Sequence, residues 1–154
     1  MDFTLEPCTT PSMPGWLALR TALWPDTSEH EHLEEMTAFS AQTERYFQQL
    51  ARNTEGVAIG LIEASIRTDN VNGTESSPVG YLEGIYVAPV ASRCGVARAL
   101  VESAMEWARL RGCREFASDA LLDNTLSQTV HRALGFEETD RVVYFVRSLE
   151  ELDP

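Results

Sequence analysis

Residues 79–111 read VGYLEGIYVAPVASRCGVARALVESAMEWARLR, and this stretch decides the fold. Its first nine residues, Val79 to Val87, are rich in β-branched and aromatic side chains and are closed by Pro89, which predicts a strand. From Gly95 to Arg111 the small and apolar residues Ala97, Leu100, Val101, Ala104, Met105 and Ala108 recur at helical spacing, so this half predicts a helix with one face on a sheet; Gly112 ends it. Between them, Ala88 to Cys94 forms a strand-to-helix turn. A helix that begins at Gly95-Val96-Ala97 turns its unsatisfied amides and the positive end of its dipole toward an anion, and small residues let a ligand come close. Arg93 and Arg98 add positive charge there.

Downstream, Glu115 to Asp119 reads as a short strand, Asn124 to Leu134 as a second amphipathic helix ended by Gly135, and Arg141 to Ser148 as a β-rich final strand. Upstream, Asp2 to Pro7 alternates weakly, as a first strand does, and Thr10, Pro11 and Ser12 mark the entry to a helix over Met13 to Leu23 that Trp24-Pro25 stops. Helix and strand propensities compete across Met36 to Gln49; a helix is placed over Glu31 to Ala41 and a strand over Tyr46 to Arg52. The turn cluster Asn53 to Gly56 joins that strand to another over Val57 to Ile66, and Arg67 to Pro78 is a loop. The order β-α-α-β-β-β-α-β-α-β means an α/β (α+β) fold, with a mixed, mostly antiparallel sheet flanked by helices and one strand-helix-strand crossover near the chemistry.

The chain of 154 residues has 44% apolar residues, enough for one domain over residues 1–154 with its own core. No long apolar run and no basic-then-apolar N-terminal segment occurs, so a cytoplasmic protein without a membrane partner is expected. Cys8, Cys94 and Cys113 have no metal-ligand spacing and no even pairing; reduced thiols and no bound metal are expected. Twenty-four acidic against twelve basic residues give a net charge of −12, which repels nucleic acid. The same field suits a cationic partner, or serves solubility alone.

Leu82-Glu83-Gly84-Ile85-Tyr86-Val87-Ala88-Pro89 followed by Ser92-Arg93-Cys94-Gly95-Val96-Ala97-Arg98 resembles the acetyl-CoA-binding motif of GNAT acetyltransferases, Arg/Gln-x-x-Gly-x-Gly/Ala, with Ser92 where Arg or Gln is usual. Downstream, Asn124-x-x-Ser127-x-x-x-His131-x-x-x-Gly135-Phe136 is similar to the family pattern Asn-x-x-Ala-x-x-x-Tyr-x-x-x-Gly-Phe, with His131 at the tyrosine position. The resemblance implies a splayed parallel strand pair that holds acetyl-CoA. Ile85, Tyr86 and Val87 would orient the pantetheine and polarise the thioester; Arg93, Cys94, Gly95, Val96, Ala97 and Arg98 would surround the pyrophosphate; Asn124, Ser127 and His131 would lie along the cofactor. In this family the residue at position 131 can protonate the departing thiolate, and histidine is able to do so.

Several stretches, among them Leu23-Trp24-Pro25, Val71-Asn72-Gly73, Ala117-Ser118-Asp119 and Gly135-Phe136-Glu137-Glu138-Thr139, resemble the aminoglycoside 6'-N-acetyltransferase branch. That resemblance implies a polycationic acceptor, an aminoglycoside, and a homodimer formed through the C-terminal half. The acidic residues Glu83 and Asp119 sit where the crevice of such a sheet opens, Asp26, Glu137 and Glu138 are outer contacts, and Trp24 offers an apolar face to a sugar ring. Asp119, or Glu83 through water, accepts the ammonium proton before direct attack on the thioester. Acetylation of another polyamine, and acetyl-CoA sensing without turnover, stay open beside this reading.

Overall fold

The computed structural model describes residues 1–150. Five strands, β1 (Phe3–Pro7), β2 (Tyr46–Asn53), β3 (Ala58–Arg67), β4 (Val79–Val87) and β5 (Phe116–Ala117), form one sheet in chain order. The first three pairings are antiparallel and β4 with β5 is parallel, joined by the crossover helix α3 (Val96–Leu110). The helices α1 (Trp16–Leu23) and α2 (Glu29–Ser40) precede β2, and α4 (Thr125–Ala133) follows β5. This is the mixed, mostly antiparallel architecture expected, with element ends moved by a few residues.

The sheet separates two apolar layers. On one face Leu100, Val101, Ala104 and Ala108 of α3 pack against Ala51, Ile59, Ile62, Ala64 and Leu82; on the other, Trp16 and Leu19 of α1 and Met36 of α2 cover Leu50 and Leu61. Helix α1 starts later than the pattern predicts because Gly15, at φ 91°, turns the chain before Trp16. Helix α2 is entered through Ser28, whose hydroxyl accepts from the Glu31 amide.

Two features of β4 shape everything that follows. Ile62 faces Ile85 and Glu63 faces Gly84, yet Ala64 faces Leu82, so Glu83 is the extra residue of a β-bulge. In consequence Leu82 and Ile85 join the core beneath α3 while Gly84 lies against Trp24 and Leu23 on the α1 side, and Glu83 reaches Ser65 on that same side. A Cβ on Gly84 would sit 2.5 Å from the Trp24 ring, so the indole rests on bare backbone. Secondly, β5 pairs with β4 only at Gly80 and Tyr81, after which the two strands part.

The final strand expected over Arg141 to Ser148 is not formed. These residues carry no strand assignment, and Val143, Tyr144, Phe145 and Val146 are 78%, 84%, 92% and 98% exposed. High β-propensity makes a strand only where a neighbouring edge takes up the main-chain donors and acceptors, and among the described residues this segment pairs with none. The short strand expected over Glu115 to Asp119 is likewise reduced to two residues by the parting from β4.

Candidate active site

The parting of β4 and β5 opens a cleft of about 200 Å³ lined by Leu23, Trp24, Tyr81 to Ile85, Ser118, Asp119, Ser127 and His131. Four residues singled out from the sequence, Trp24, Glu83, Asp119 and His131, thus come together from α1, β4, the end of β5 and α4. Beyond Tyr81 the outer edge of β4 has no ladder partner among the described residues, so backbone groups from Glu83 to Val87 border the opening. Ile85, Tyr86 and Val87 therefore stand where an extended ligand can add to the strand edge.

The two carboxylates have different partners. Glu83 accepts from Ser65 Oγ at 2.6 Å and is gripped by Arg67, whose Nη2 lies 2.9 and 3.0 Å from its two oxygens. Arg67 also lies 3.6 Å from the centre of the Tyr81 ring. Burial works against the Arg67 charge, but the hydrogen bond and charge of Glu83 outweigh it and raise its pKa above the usual value. Asp119 accepts from the Tyr81 hydroxyl through one oxygen and is otherwise exposed. Burial, then this bond to Asp119, drives the Tyr81 phenol well above its ordinary range, so it stays a donor. Tyr81, Ser65 and Arg67 escape a sequence reading because the first two look like ordinary strand residues and the third like an ordinary loop residue.

Across the cleft, His131 Nδ1 lies 2.7 Å from the Ser127 carbonyl oxygen and Nε2 lies 2.7 Å from Ser118 Oγ. A carbonyl oxygen only accepts, so the ring carries a proton on Nδ1; in the neutral ring Nε2 accepts from the Ser118 hydroxyl. Asn124 caps α4, its side-chain oxygen accepting from the Ser127 amide at 3.1 Å. The expected cofactor residues Asn124 and Ser127 thus set the helix that carries His131.

At the start of α3, Gly95 is left-handed at φ 82°, and Arg93 before it is also left-handed at φ 61°. The first helical bond runs from the Ala99 amide to the Gly95 carbonyl, which leaves the amides of Val96, Ala97 and Arg98 for an outside acceptor. A Cβ at Gly95 would meet nothing within 4 Å, so the approach is open. Cys94 turns its thiol back to the Ser92 carbonyl at 3.5 Å. Arg98 is directed elsewhere than expected: its Nη2 donates to the Ala133 carbonyl at 3.2 Å, tying α3 to the end of α4.

Asp26, Glu137 and Glu138 line neither this cleft nor the larger cavity that adjoins it. Asp26 is exposed in the turn after Trp24, and Glu138 is engaged by Arg132 and Arg141, which hold its carboxyl below the usual range. These three are surface carboxylates outside both hollows.

Residues 15–136 match the model of the acetyltransferase (GNAT) family. The chain is 50% identical to an aminoglycoside N(6')-acetyltransferase type 1 of Acinetobacter haemolyticus over 95% of this chain and 99% of that protein. It is 49% identical to the protein of the same description from Acinetobacter baumannii over 94% and 98%. Among solved structures, the aminoglycoside antibiotic 6'-N-acetyltransferase AAC(6')-Ih from Acinetobacter baumannii superposes with a TM-score of 0.91 at 46% identity, covering 97% of this chain and 100% of that one. AAC(6')-Iy, solved with the bisubstrate analogue CoA-S-monomethyl-acetylneamine, gives 0.89 at 40% identity over 96% and 99%. With its parted parallel strands, its open helix start and these relatives, the chain belongs to the GNAT acetyltransferase family.

Proposed function

We propose that this acetyltransferase moves the acetyl group of acetyl-CoA to the 6'-amine of aminoglycoside antibiotics, by direct attack of the amine and without an acyl-enzyme. The observation that carries the reading is the cleft itself: an aromatic face from Trp24, carboxylates from Glu83 and Asp119, and an imidazole from His131, all beside the free edge of β4. A polycation with sugar rings matches this lining, and the relatives are named for that acceptor.

Acetyl-CoA supplies the acetyl group as a thioester and leaves as a thiol. The chain's residues fit it: the amides of Val96, Ala97 and Arg98 with the side chain of Arg93 suit its pyrophosphate, and the main chain of Ile85 to Val87 suits its extended arm. Ser92, in place of the usual Arg or Gln, leaves this amide set intact. The acceptor enters as an ammonium and must lose a proton to become a nucleophile. Asp119 is the better base, because one of its oxygens is held by Tyr81 while the carboxylate stays open to the cleft; Glu83, with both oxygens on Arg67, is the ammonium anchor. Main-chain amides of β4 stabilise the charge that develops on the carbonyl oxygen. With a proton on Nε2 as well as Nδ1, His131 would pass the Nε2 proton to Ser118 as the Ser118 hydroxyl gives its own to the leaving sulfur, which leaves the neutral ring with Nε2 again an acceptor.

We read the chain as one catalytic domain that works in the cytoplasm, where acetyl-CoA is available, and as a homodimer. The exposed run from Val142 to Val146 supports association, since an unpaired β-rich segment finds its ladder in a second copy. Light scattering at micromolar concentration should give the mass of two chains; only single chains would refute it. Thiol release from acetyl-CoA with kanamycin, spermidine and a lysine peptide tests the reaction. Preference for kanamycin, with 6'-acetylkanamycin identified by mass spectrometry and NMR, is expected. Preference for spermidine would replace the acceptor, and tight CoA binding without turnover of any amine would replace the enzyme by a sensor.

A further inference from the structure

Behind Trp24 and Glu83 the cleft adjoins a larger cavity, about 580 Å³, whose wall includes Glu35, Phe39, Tyr46, Gln48 and Glu63. One buried cation ties this wall together. Arg20 of α1 is 2% exposed, donates from Nε to His32 Nδ1 at 3.2 Å and from Nη1 to Glu63 Oε1 at 3.2 Å, and bonds Glu35 through Nη2. Its guanidinium carbon lies 4.9 Å from the centre of the Trp24 ring and 5.6 Å from that of Phe39, both within cation-π reach. Glu63 is fixed in turn by Trp16 Nε1 at 2.9 Å.

Stability alone does not account for such a group. Removing a cation from water is costly, and an apolar side chain of the same volume serves a core as well or better. A rigid fork of donors, by contrast, can hold several partners at set angles, which neither lysine nor methionine does. The two carboxylates on Arg20 differ in access: Glu63 is 3% exposed and closed in behind the guanidinium, whereas Glu35 is 50% exposed at the cavity wall, where an incoming cation can reach it. One Glu35 oxygen is turned to Arg20, and the other makes no hydrogen bond among the described residues. Trp24 lines both the cleft and the cavity, so whatever sets its ring sets both compartments.

We propose that Arg20 is a positioning residue whose guanidinium fixes Trp24 and Glu35 as the far wall of the acceptor site, and that Glu35 meets an ammonium group of the acceptor remote from the reacting amine. This rests on the aminoglycoside reading above for the nature of the acceptor, not for the placement of Trp24.

Two readouts separate the parts. In protein labelled with 5-fluorotryptophan, the Trp24 resonance, assigned through Trp24→Phe, should shift and broaden in Arg20→Met while that of Trp107 stays in place. An unmoved Trp24 signal in a folded Arg20→Met variant overturns the positioning role, whatever the enzyme acetylates. In steady-state assays Arg20→Met should raise the KM for kanamycin about tenfold or more and leave that for acetyl-CoA within about twofold, as loss of an acceptor contact alone requires. Glu35→Gln, which removes the charge at a half-exposed position while its amide oxygen still accepts from the Arg20 guanidinium, should raise the kanamycin KM about fivefold, the worth of one partly exposed charge pair, and keep the Trp24 signal in place. It stands as the decisive variant if Arg20→Met does not fold. An unchanged kanamycin KM in Glu35→Gln overturns the proposal. Parent enzyme that ignores kanamycin but acetylates another amine refutes the acceptor reading instead, and the fluorine spectra still judge Arg20.

Discussion

Gly84→Ala gives the most direct test of how the acceptor cleft is built. A methyl group at that position would lie 2.5 and 2.7 Å from two carbons of the Trp24 ring and 2.9 Å from a Leu23 methyl. Carbon atoms rest at about 3.5–4.0 Å, so the indole must retreat by about 1 Å or more. The strand has no special need of glycine's conformational range at this point, and the insertion of one methylene-sized group into packed surroundings costs about 1–3 kcal/mol, which the fold survives with a lowered melting temperature. A displacement of about 1 Å in a positioning group lowers rates by about a hundredfold. Gly84→Ala should therefore lose about two orders of magnitude in kcat/KM for kanamycin, while calorimetry finds acetyl-CoA binding within about twofold of the parent, because the start of α3 is untouched. If folded Gly84→Ala acetylates kanamycin at parental kcat/KM, the Trp24 ring is not a wall of the acceptor site, and the cleft as drawn is wrong.

Asp119→Asn should raise the KM for kanamycin and reduce turnover by about 10²-fold or more with acetyl-CoA affinity held, by steady-state kinetics and calorimetry; parental rates at sub-saturating drug would pass the role of base to Glu83. His131→Ala should lower kcat more than it weakens CoA binding, and its pH–rate profile should lose a limb that the parent shows. If the α3 amides hold the pyrophosphate as proposed, Gly95→Asp, which puts a negative charge and a side chain there, should lower CoA affinity in calorimetry at least tenfold in a folded protein. Burial pushes the Glu63 carboxyl up from 4.5 to about 7, against the pull of Arg20 and the bond from Trp16. The folded chain thus holds a proton that the unfolded chain has released over that interval, and Glu63 makes stability fall as pH rises from about 4.5 to about 7. Melting temperatures of Glu63→Gln across this range should decline less steeply than those of the parent, and equal slopes would refute the burial argument.

Most of the scaffold could be read from the chain because each element carried its own period. The run of apolar and β-branched residues over Val79 to Val87 and the helical stripe from Ala97 to Ala108 each specify a structure locally. The members of the cleft were legible for other reasons: Trp24 and Asp119 lie at the ends of elements, where chains turn and crevices open, and His131 stands at the tyrosine position of the family pattern. What stayed hidden depends on distant partners. Arg20, His32 and Glu63 look like solvent-facing polar residues until the second apolar layer closes over them. The bulge at Glu83 leaves no trace in composition, since it exists only as a mismatch with β3. Arg141 to Ser148 shows the converse, a segment with the right residues for a strand that pairs with no other strand among the described residues.

The extra residue in β4 also separates what this enzyme can change from what it must keep. Without Glu83, Leu82, Gly84 and Ile85 would alternate regularly between the two faces, and the strand would be an unbroken rung of the scaffold. Excising that single residue would let the β3–β4 ladder run without a bulge, with Leu82 and Gly84 still on opposite faces and the Arg67–Glu83 pair gone. On the proposed role of Glu83 as acceptor anchor, deletion of this one residue is expected to change acceptor choice while the amides at the start of α3 keep their places.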